Sequence, residues 1–207
     1  MQNIRQLYNE VENIMRKNDP AHDFEHVKRV YRNAERICKT EKANKKLVLA
    51  ATLLHDIISF PKSDKRSKTS STKSAIRANK ILKKYNYSPQ EIKIIIDAIE
   101  NHSFSKNKIP KTLEGKVVQD ADRLDAIGAI GIARTFAVGG TENRPFYNKR
   151  DPFCLARYPN DKKWTLDHFF KKLLILESKM NTKSGKIEAQ RRAKILKKFL
   201  SDLKKEI

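Results

Sequence analysis

Apolar residues recur every three or four positions along most of the chain, a spacing that predicts amphipathic α-helices. The first such segment spans residues 3–17, and a break containing Pro20 separates it from a second helix over residues 23–42. A third, more uniformly apolar helix is predicted over residues 44–58, with Pro61 ending it. No segment shows a convincing period-two alternation of apolar and polar residues. The pattern therefore predicts an all-α fold.

The middle of the chain contains a second group of helix signals. Residues 62–72 are polar, basic and serine-rich, which predicts a mobile loop. Apolar residues from Ala75 to Tyr85 then mark the next helix. Ser88-Pro89-Gln90-Glu91 is a capping box with proline at the first helical position, so a further helix is expected from there to about residue 102.

Helices are also predicted in the second half of the chain. One spans residues 113–124 and another continues to Ala137, where Gly139-Gly140 is expected to end it. Two C-terminal helices are predicted over residues 164–180 and 185–204.

Between these helices the periodicity is lost, and we expect an ordered loop over residues 139–163. This stretch contains three prolines and four aromatic residues, too many for a free linker. A chain of 207 residues suits one domain. We therefore predict a single domain over residues 1–207, with a core at about 20–138 and C-terminal helices at 164–207 that pack on it.

The charge indicates anionic partners. Lys and Arg total 45 against 24 Asp and Glu, which gives a net charge of +21. Residues 62–84 contain nine basic side chains and one acidic one. Such an excess attracts nucleotides, nucleic acid or an anionic membrane surface, although a compositional bias explains it equally well.

The chain contains no apolar run long enough for a membrane span, and no signal peptide is evident. The two cysteines, Cys38 and Cys154, lie far apart and outside any metal-binding spacing. They are expected to be reduced thiols of a cytoplasmic protein.

Four side chains of metal-binding type fall within or at the ends of the predicted helices: His26, His55, Asp56 and Asp122. His55 and Asp56 follow an apolar run, where an unpaired buried charge is costly. One interpretation is a buried His-Asp pair, and the other is a metal site shared with the remaining two residues. Two imidazoles and two carboxylates suit Mn²⁺, Fe²⁺, Ni²⁺ or Mg²⁺ as well as Zn²⁺.

The order of these residues resembles that in the HD-domain superfamily of metal-dependent phosphohydrolases. The matching motifs are His22-Asp23-Phe24-Glu25-His26, then His55-Asp56, then Asp120-Ala121-Asp122-Arg123-Leu124-Asp125. Other stretches resemble the stand-alone bacterial HD hydrolase branch, namely residues 100–104, 128–136, 167–173 and 179–182 with Ala189 and Arg192. The resemblance covers residues 20–205.

The resemblance implies an HD-domain helical bundle with additional C-terminal helices. It also implies hydrolysis of a nucleotide or related phosphate ester or anhydride by metal-activated water, with nucleotide pyrophosphohydrolysis as the foremost activity. One divalent ion would be held by His26, His55, Asp56 and Asp122. Mn²⁺ is expected first, with Mg²⁺, Ni²⁺, Co²⁺, Fe²⁺ and Zn²⁺ as alternatives.

The stretch after Asp56 differs from that in one subgroup of the superfamily. HD hydrolases that act on guanosine tetraphosphate carry a Glu-Asp pair three residues after the His-Asp. Here the stretch after Asp56 reads Ile57-Ile58-Ser59-Phe60, without an acid. This argues against that subgroup, and the general base must come from elsewhere.

Two residues are candidates for the proton chemistry. Asp125 lies three residues after Asp122 and shares its helix face, so it could orient water or hold a ligand histidine. His102 could donate a proton to the leaving oxygen, contact substrate or bind a second ion, or simply end a helix favourably. Cationic side chains should bind the substrate phosphates, and the candidates are Arg123, Lys62, Arg134 and Lys172.

Two other functions are compatible with these residues. A degenerate HD module could bind nucleotide or RNA through its basic faces, although it would have no reason to retain four ligands. A di-iron oxygenase would need further histidines, and only His22, His102 and His168 remain. We therefore expect an enzyme.

Overall fold

A computed structural model of the protein describes residues 2–15, 24–60 and 64–207, and this part of the chain is helical with no strand. The prediction of an all-α fold is confirmed. The helices are α1 (Gln2–Met15), α2 (Phe24–Cys38), α3 (Lys45–Leu54), α4 (Ser70–Lys84), α5 (Pro89–Asn101), α6 (Leu113–Asp125), α7 (Gly128–Thr141), the single turn α8 (Leu174–Leu176) and α9 (Lys183–Glu206). Short 3₁₀ turns lie at Lys65–Thr69, Phe104–Lys106 and Glu177–Lys179, and a π-helical turn lies at Phe169–Leu173. None of the described helices is both long and apolar enough to cross a membrane.

The chain forms two compact units, Met1–Asp122 and Arg123–Ile207. In the first unit α3 is the central helix, because all eight residues from Leu47 to Leu54 are buried. It packs against α1, α2 and α5. A helix that is apolar on every side has to be enclosed in this way. Asn44 caps α3 by accepting hydrogen bonds from the backbone N–H groups of Lys46 and Leu47.

The start of α5 was predicted correctly. The Ser88 hydroxyl accepts from the Glu91 N–H, and the Glu91 carboxylate accepts from the Ser88 N–H, at 3.3 and 2.9 Å. The side chain of Lys46 reaches the same carboxylate at 2.7 Å, which links α3 to the start of α5. The two hydrogen bonds between Ser88 and Glu91 each satisfy a backbone N–H that the helix start would otherwise leave unpaired.

The ends of three predicted elements in this unit are wrong. Helix α2 ends at Cys38, not at residue 42. Helix α3 ends at Leu54, not at residue 58, so His55 and Asp56 lie in the turn that follows it. The described part of the predicted loop at 62–72 is a 3₁₀ turn over Lys65–Thr69, which runs into α4. Asp64 caps that turn by accepting from the Arg66 N–H. The predicted cap of α2, Asp23, lies outside the described residues.

In the second unit α7 packs against α9. Phe136, Phe146, Phe169 and Phe199 meet there, with ring centroids 5.4–6.2 Å apart. Phe169 is fully buried among them, and such edge and offset contacts between aromatic rings are favourable.

Helix α7 does not end at Gly139-Gly140 as predicted but continues to Thr141. A Cβ atom at position 139 would lie 2.3 Å from the Thr165 hydroxyl oxygen. Gly139 therefore allows the chain at Thr165 to lie against the helix, and its role is close packing.

The segment between the end of α7 at Thr141 and the helical residues that begin at Asp167 is held by side-chain contacts. Asp167 is fully buried and accepts from both terminal nitrogens of Arg157, at 2.5 and 2.8 Å, and from the Asn160 N–H. The Arg157 guanidinium also lies 4.4 Å from the centroid of the Trp164 ring. The helix predicted over residues 164–180 is wrong only at its start, because the helical residues begin at Asp167 and the π-helical turn follows from Phe169.

An ion pair on α9 makes stability depend on pH. Glu188 accepts from Arg191 and Arg192, and these hydrogen bonds, Arg191 first, lower the pKa of its carboxyl to about 2. The stabilisation is complete above the ordinary value of 4.5 and is lost as pH falls toward 2. We expect Glu188→Gln to lower the free energy of unfolding by about 1 kcal/mol near neutral pH. In urea titrations the difference from wild type should shrink steadily below about pH 4.5; an undiminished difference at about pH 3 would contradict this origin.

Candidate metal centre

Three side chains of the first unit converge on one point. His26 projects from the first turn of α2, whereas His55 and Asp56 follow α3. One ligand atom from each of these three residues lies within 4.8 Å of the others. The two Nε2 atoms are 3.2 Å apart, and the nearer oxygen of Asp56 lies 3.8 Å from His26 and 3.7 Å from His55.

Asp122, near the end of α6, faces the same point. Its Oδ1 atom lies 3.5 Å from Nε2 of His26 and 3.9 Å from Nε2 of His55. The two imidazoles are buried, whereas the side chains of Asp56 and Asp122 are 14% and 24% exposed. The centre is therefore closed behind the imidazoles and reachable from solvent on the carboxylate side.

The orientation of His55 is set by the helix it follows. Its Nδ1 donates to the carbonyl oxygen of Thr52 at 2.7 Å. In a neutral ring this leaves the lone pair on Nε2, the atom that faces His26 and the carboxylates. A backbone carbonyl that accepts from the far nitrogen is the usual way in which proteins orient a metal-binding histidine.

The donor set fits a divalent cation. First-row ions bind nitrogen and oxygen at about 2.0–2.2 Å, so neighbouring donor atoms around one ion are roughly 3–3.5 Å apart. The observed separations of 3.2–3.9 Å approach this spacing. Two carboxylates that face two imidazole nitrogens in a largely buried position also provide negative charge that a cation would balance.

The pKa shifts of the side chains at the centre also favour metal binding. Burial lowers the pKa of His55 below its ordinary value despite the nearby Asp56 carboxylate. Burial alone would raise the pKa values of Asp56 and Asp122, but the neighbouring imidazoles of His55, His102 and His26 outweigh it and lower both. A neutral imidazole and ionised carboxylates are the forms that bind a metal ion.

His102 lies beside this group and is held in the same manner as His55. Its Nδ1 donates to the Ile99 carbonyl at 2.7 Å, and its Nε2 lies 3.6 Å from the Asp56 oxygen that faces away from the other histidines. Burial alone would lower the pKa of His102, but the hydrogen bond and charge of Asp56 raise it. One carboxylate thus connects His102 to the candidate ligands.

Four other candidates for catalysis and phosphate binding belong to the second unit. In the second unit, Asp125 is buried and accepts from Arg134 at 2.9 Å, so two of them contact each other. Arg123 is also buried, and its guanidinium donates to the carbonyl oxygen of Lys179. Lys172 lies in the π-helical turn.

Three residues named from the sequence, Lys62, His22 and Asp23, lie outside the described residues. His168, the remaining histidine, contacts the Asp161 carboxylate at 2.9 Å.

Sequence reasoning missed the groups that orient the two histidines. Both acceptors, Thr52 and Ile99, act through backbone carbonyls three residues earlier, so their side chains carry no signal. It also missed Gln119, whose amide donates to the carbonyls of Asn101 and Lys108 at 2.8 Å each and so holds the segment that follows His102. The available clue in the sequence was a glutamine directly after Val117-Val118 on the helix of Asp122, and this glutamine is buried.

Comparison with known proteins identifies the family of this chain. The HD domain family model matches residues 23–127, slightly more than half of the chain. The Bacillus subtilis (strain 168) protein YpgQ is 32% identical over 211 residues, which cover 100% of this chain and 95% of YpgQ.

Two solved structures are similar over nearly their whole length. An HD-superfamily hydrolase from Bacillus thuringiensis has a TM-score of 0.77 and 33% identity, with 99% of this chain and 96% of that chain covered. YpgQ in complex with ADP has a TM-score of 0.76 and 30% identity, with 100% and 95% covered. The chain therefore belongs to the HD domain family, and its relatives are HD-superfamily hydrolases.

Proposed function

We propose that this protein is a metal-dependent phosphohydrolase that acts on a nucleotide, with nucleotide pyrophosphohydrolysis as the foremost activity. The observation that carries the proposal is the convergence of His26, His55, Asp56 and Asp122 at donor spacings of 3.2–3.9 Å. The ADP complex of YpgQ supports a nucleotide as the ligand class. Mn²⁺ is the first choice of ion, because the nitrogen and carboxylate donors suit borderline to hard cations.

In this proposal the side chains of the centre have separate roles. The imidazoles of His26 and His55 and the carboxylates of Asp56 and Asp122 hold the ion. When bound, a divalent ion lowers the pKa of water and polarises a phosphoryl oxygen. The exposed side of the carboxylates leaves room for water and phosphate to approach.

His102 is proposed to serve the leaving group. Its ring is fixed by the Ile99 carbonyl, and its Nε2 lies 3.6 Å from Asp56, directly beside the proposed ligand set. A proton held at Nε2 could pass to the oxygen that departs from phosphorus. Asp125 retains its proposed part in orienting water, although its contact with Arg134 makes it the weaker candidate.

The test is a substrate screen with the purified protein. Nucleoside mono-, di- and triphosphates and cyclic nucleotides would be incubated with Mn²⁺, Mg²⁺, Co²⁺ or Ni²⁺. We expect metal-dependent turnover of nucleoside triphosphates, and chromatography of the products would distinguish pyrophosphate from orthophosphate release. An Asp122→Ala variant, assayed in parallel, should be inactive if the activity belongs to this centre.

The alternative is a binding module that uses the basic surface. Salt-dependent retention of RNA without turnover in any of these metals would favour it and would contradict the enzymatic proposal.

A further inference from the structure

The turn after the proposed ligand Asp56 is joined to the first part of α4. The Ser74 hydroxyl accepts from the Ile58 N–H at 3.1 Å and donates to the Ile58 carbonyl at 3.0 Å. Ser74 is fully buried, so this pair of hydrogen bonds is shielded from water. Since Ile58 is two residues from Asp56, at most about 7 Å of chain separates this junction from the proposed centre. The beginning of α4 is thereby fixed close to the metal ligands.

The segment after His102 reaches the same part of α4. Lys106 donates from its ammonium group to the hydroxyl of Thr72 at 3.2 Å. Gln119 holds this segment on both sides of Lys106, through the carbonyls of Asn101 and Lys108. Two turns that leave the proposed active site, one after Asp56 and one after His102, therefore meet at the beginning of α4.

Cationic groups gather where these segments meet. Phe60 lies between the guanidinium of Arg66 and the ammonium of Lys73, at 4.6 and 4.9 Å from its ring centroid. Asp64 already neutralises Arg66 through contacts of 2.7–3.2 Å. Among the described residues, by contrast, neither Lys73 nor Lys106 has a carboxylate within ion-pair distance. Lys106 is moreover half-buried, so its charge is only partly solvated.

Some lysines of this unit are paired with a carboxylate, although most of its described lysines are not. Lys84 contacts Glu10, Lys45 contacts Glu35, and Lys46 contacts Glu91. Lys73 and Lys106 form no ion pair among the described residues, and both lie at the beginning of α4, which is joined to the turns after Asp56 and His102. Their ammonium groups therefore have the charge and position to bind phosphate oxygens beyond a phosphorus held at the proposed centre.

We infer that Lys73 and Lys106 form a subsite for the part of a phosphate chain that extends beyond the phosphorus attacked. The inference rests on the proposed phosphohydrolase function and makes its substrate class more specific. The substrate is a di- or triphosphate, whose additional phosphates lie along α4, and not a simple monophosphate ester. The two lysines are specificity-determining residues, because they contact the chain and not the reacting atom.

Binding of inorganic tripolyphosphate tests the subsite without turnover. Lys73→Gln, Lys106→Gln and the double variant would be titrated calorimetrically with tripolyphosphate and with orthophosphate, with Mn²⁺ in excess over both. We expect the double variant to bind tripolyphosphate at least about tenfold more weakly, since a hydrogen bond to a charged group is lost at each position. Its affinity for orthophosphate should change by less than about twofold, because that ion is too short to reach both centres.

Two matched variants control for a general loss of positive charge. Lys80→Gln lies further along α4 and Lys108→Gln lies two residues after Lys106; both side chains are exposed. Both should bind tripolyphosphate as the wild type does. A double variant with wild-type affinity for tripolyphosphate, or controls weakened as much as it is, would overturn the subsite.

Turnover of a nucleoside triphosphate, measured with the same proteins, separates the two proposals. Hydrolysis by the wild type, together with unchanged tripolyphosphate binding in the double variant, would contradict the subsite and leave the enzymatic function standing. Weaker tripolyphosphate binding in the double variant, with no hydrolysis of any nucleotide by the wild type, would support the subsite and contradict the hydrolase. Metal content and circular dichroism should match the wild type in every variant.

Discussion

A His55→Asn variant should lose its bound divalent ion and hydrolyse substrate about a thousandfold more slowly, because an ion supplies several kcal/mol of transition-state stabilisation. Asparagine places an amide N–H near the position of Nδ1, so the hydrogen bond to the Thr52 carbonyl can persist. Nothing then occupies the position of Nε2. Metal analysis after dialysis, steady-state kinetics and far-ultraviolet circular dichroism together measure this outcome.

Related variants distinguish the loss of a metal ligand from the loss of the hydrogen bond at the end of α3. His55→Ala removes the contact with Thr52 as well, and it should unfold at a lower temperature than His55→Asn while being equally inactive. Asp122→Ala should also lose metal and activity with its helical content retained. Glu10→Gln, which alters an ion pair with Lys84 on the surface, is the matched control and should behave as the wild type. Full metal content and activity in His55→Asn would disprove the assignment.

Arg157→Met should lower the free energy of unfolding by about 3–5 kcal/mol, because it leaves the buried Asp167 carboxylate without its charged partner. The Asn160 N–H would remain as a donor but carries no full charge. Trp164, the single tryptophan, lies under the Arg157 guanidinium, so its fluorescence reports this region directly during urea unfolding.

A second substitution tests whether the unpaired charge is the cause. In an Arg157→Met/Asp167→Leu double variant the charge is gone, and a substantial part of the lost stability should return. Lys198→Met breaks only an exposed pair with Asp202 on α9 and should leave the urea midpoint unchanged. If the double variant were less stable than Arg157→Met alone, the contact would owe its effect to packing on Trp164 instead.

The sequence predicted elements whose signals are local and missed ends that depend on distant contacts. The capping box at Ser88 is local, and it was correct. Gly139 looked like a helix terminator, but its role is to let Thr165, 26 positions away, approach α7. The serine-rich stretch 62–72 looked like a loop, yet its last residues already belong to α4, and Ser71 is buried there. Composition cannot distinguish a solvated serine from a buried one.

The same distinction applies to the candidate centre. Residue type and the family pattern singled out the four side chains that converge, because metal binding restricts both strongly. The position of Asp125 one turn after Asp122 suggested a catalytic base, but the sequence could not show that Arg134 contacts it. The meeting of Lys73 and Lys106 at α4 was likewise invisible, because it depends on how three separate segments fold together.

The spacing of the four converging side chains also bears on when the centre can form during synthesis. His26, His55 and Asp56 leave the ribosome early, but Asp122 lies near the end of α6, more than half-way along the chain. Domains fold as their segments emerge, and contacts between distant segments form after local ones. A nascent chain that has made only α1 to α5 can pair α4 with α5 but lacks Asp122, the fourth of the proposed ligands. On the proposed ligand assignment, complete metal loading therefore belongs to a late stage, after the ribosome has passed α6.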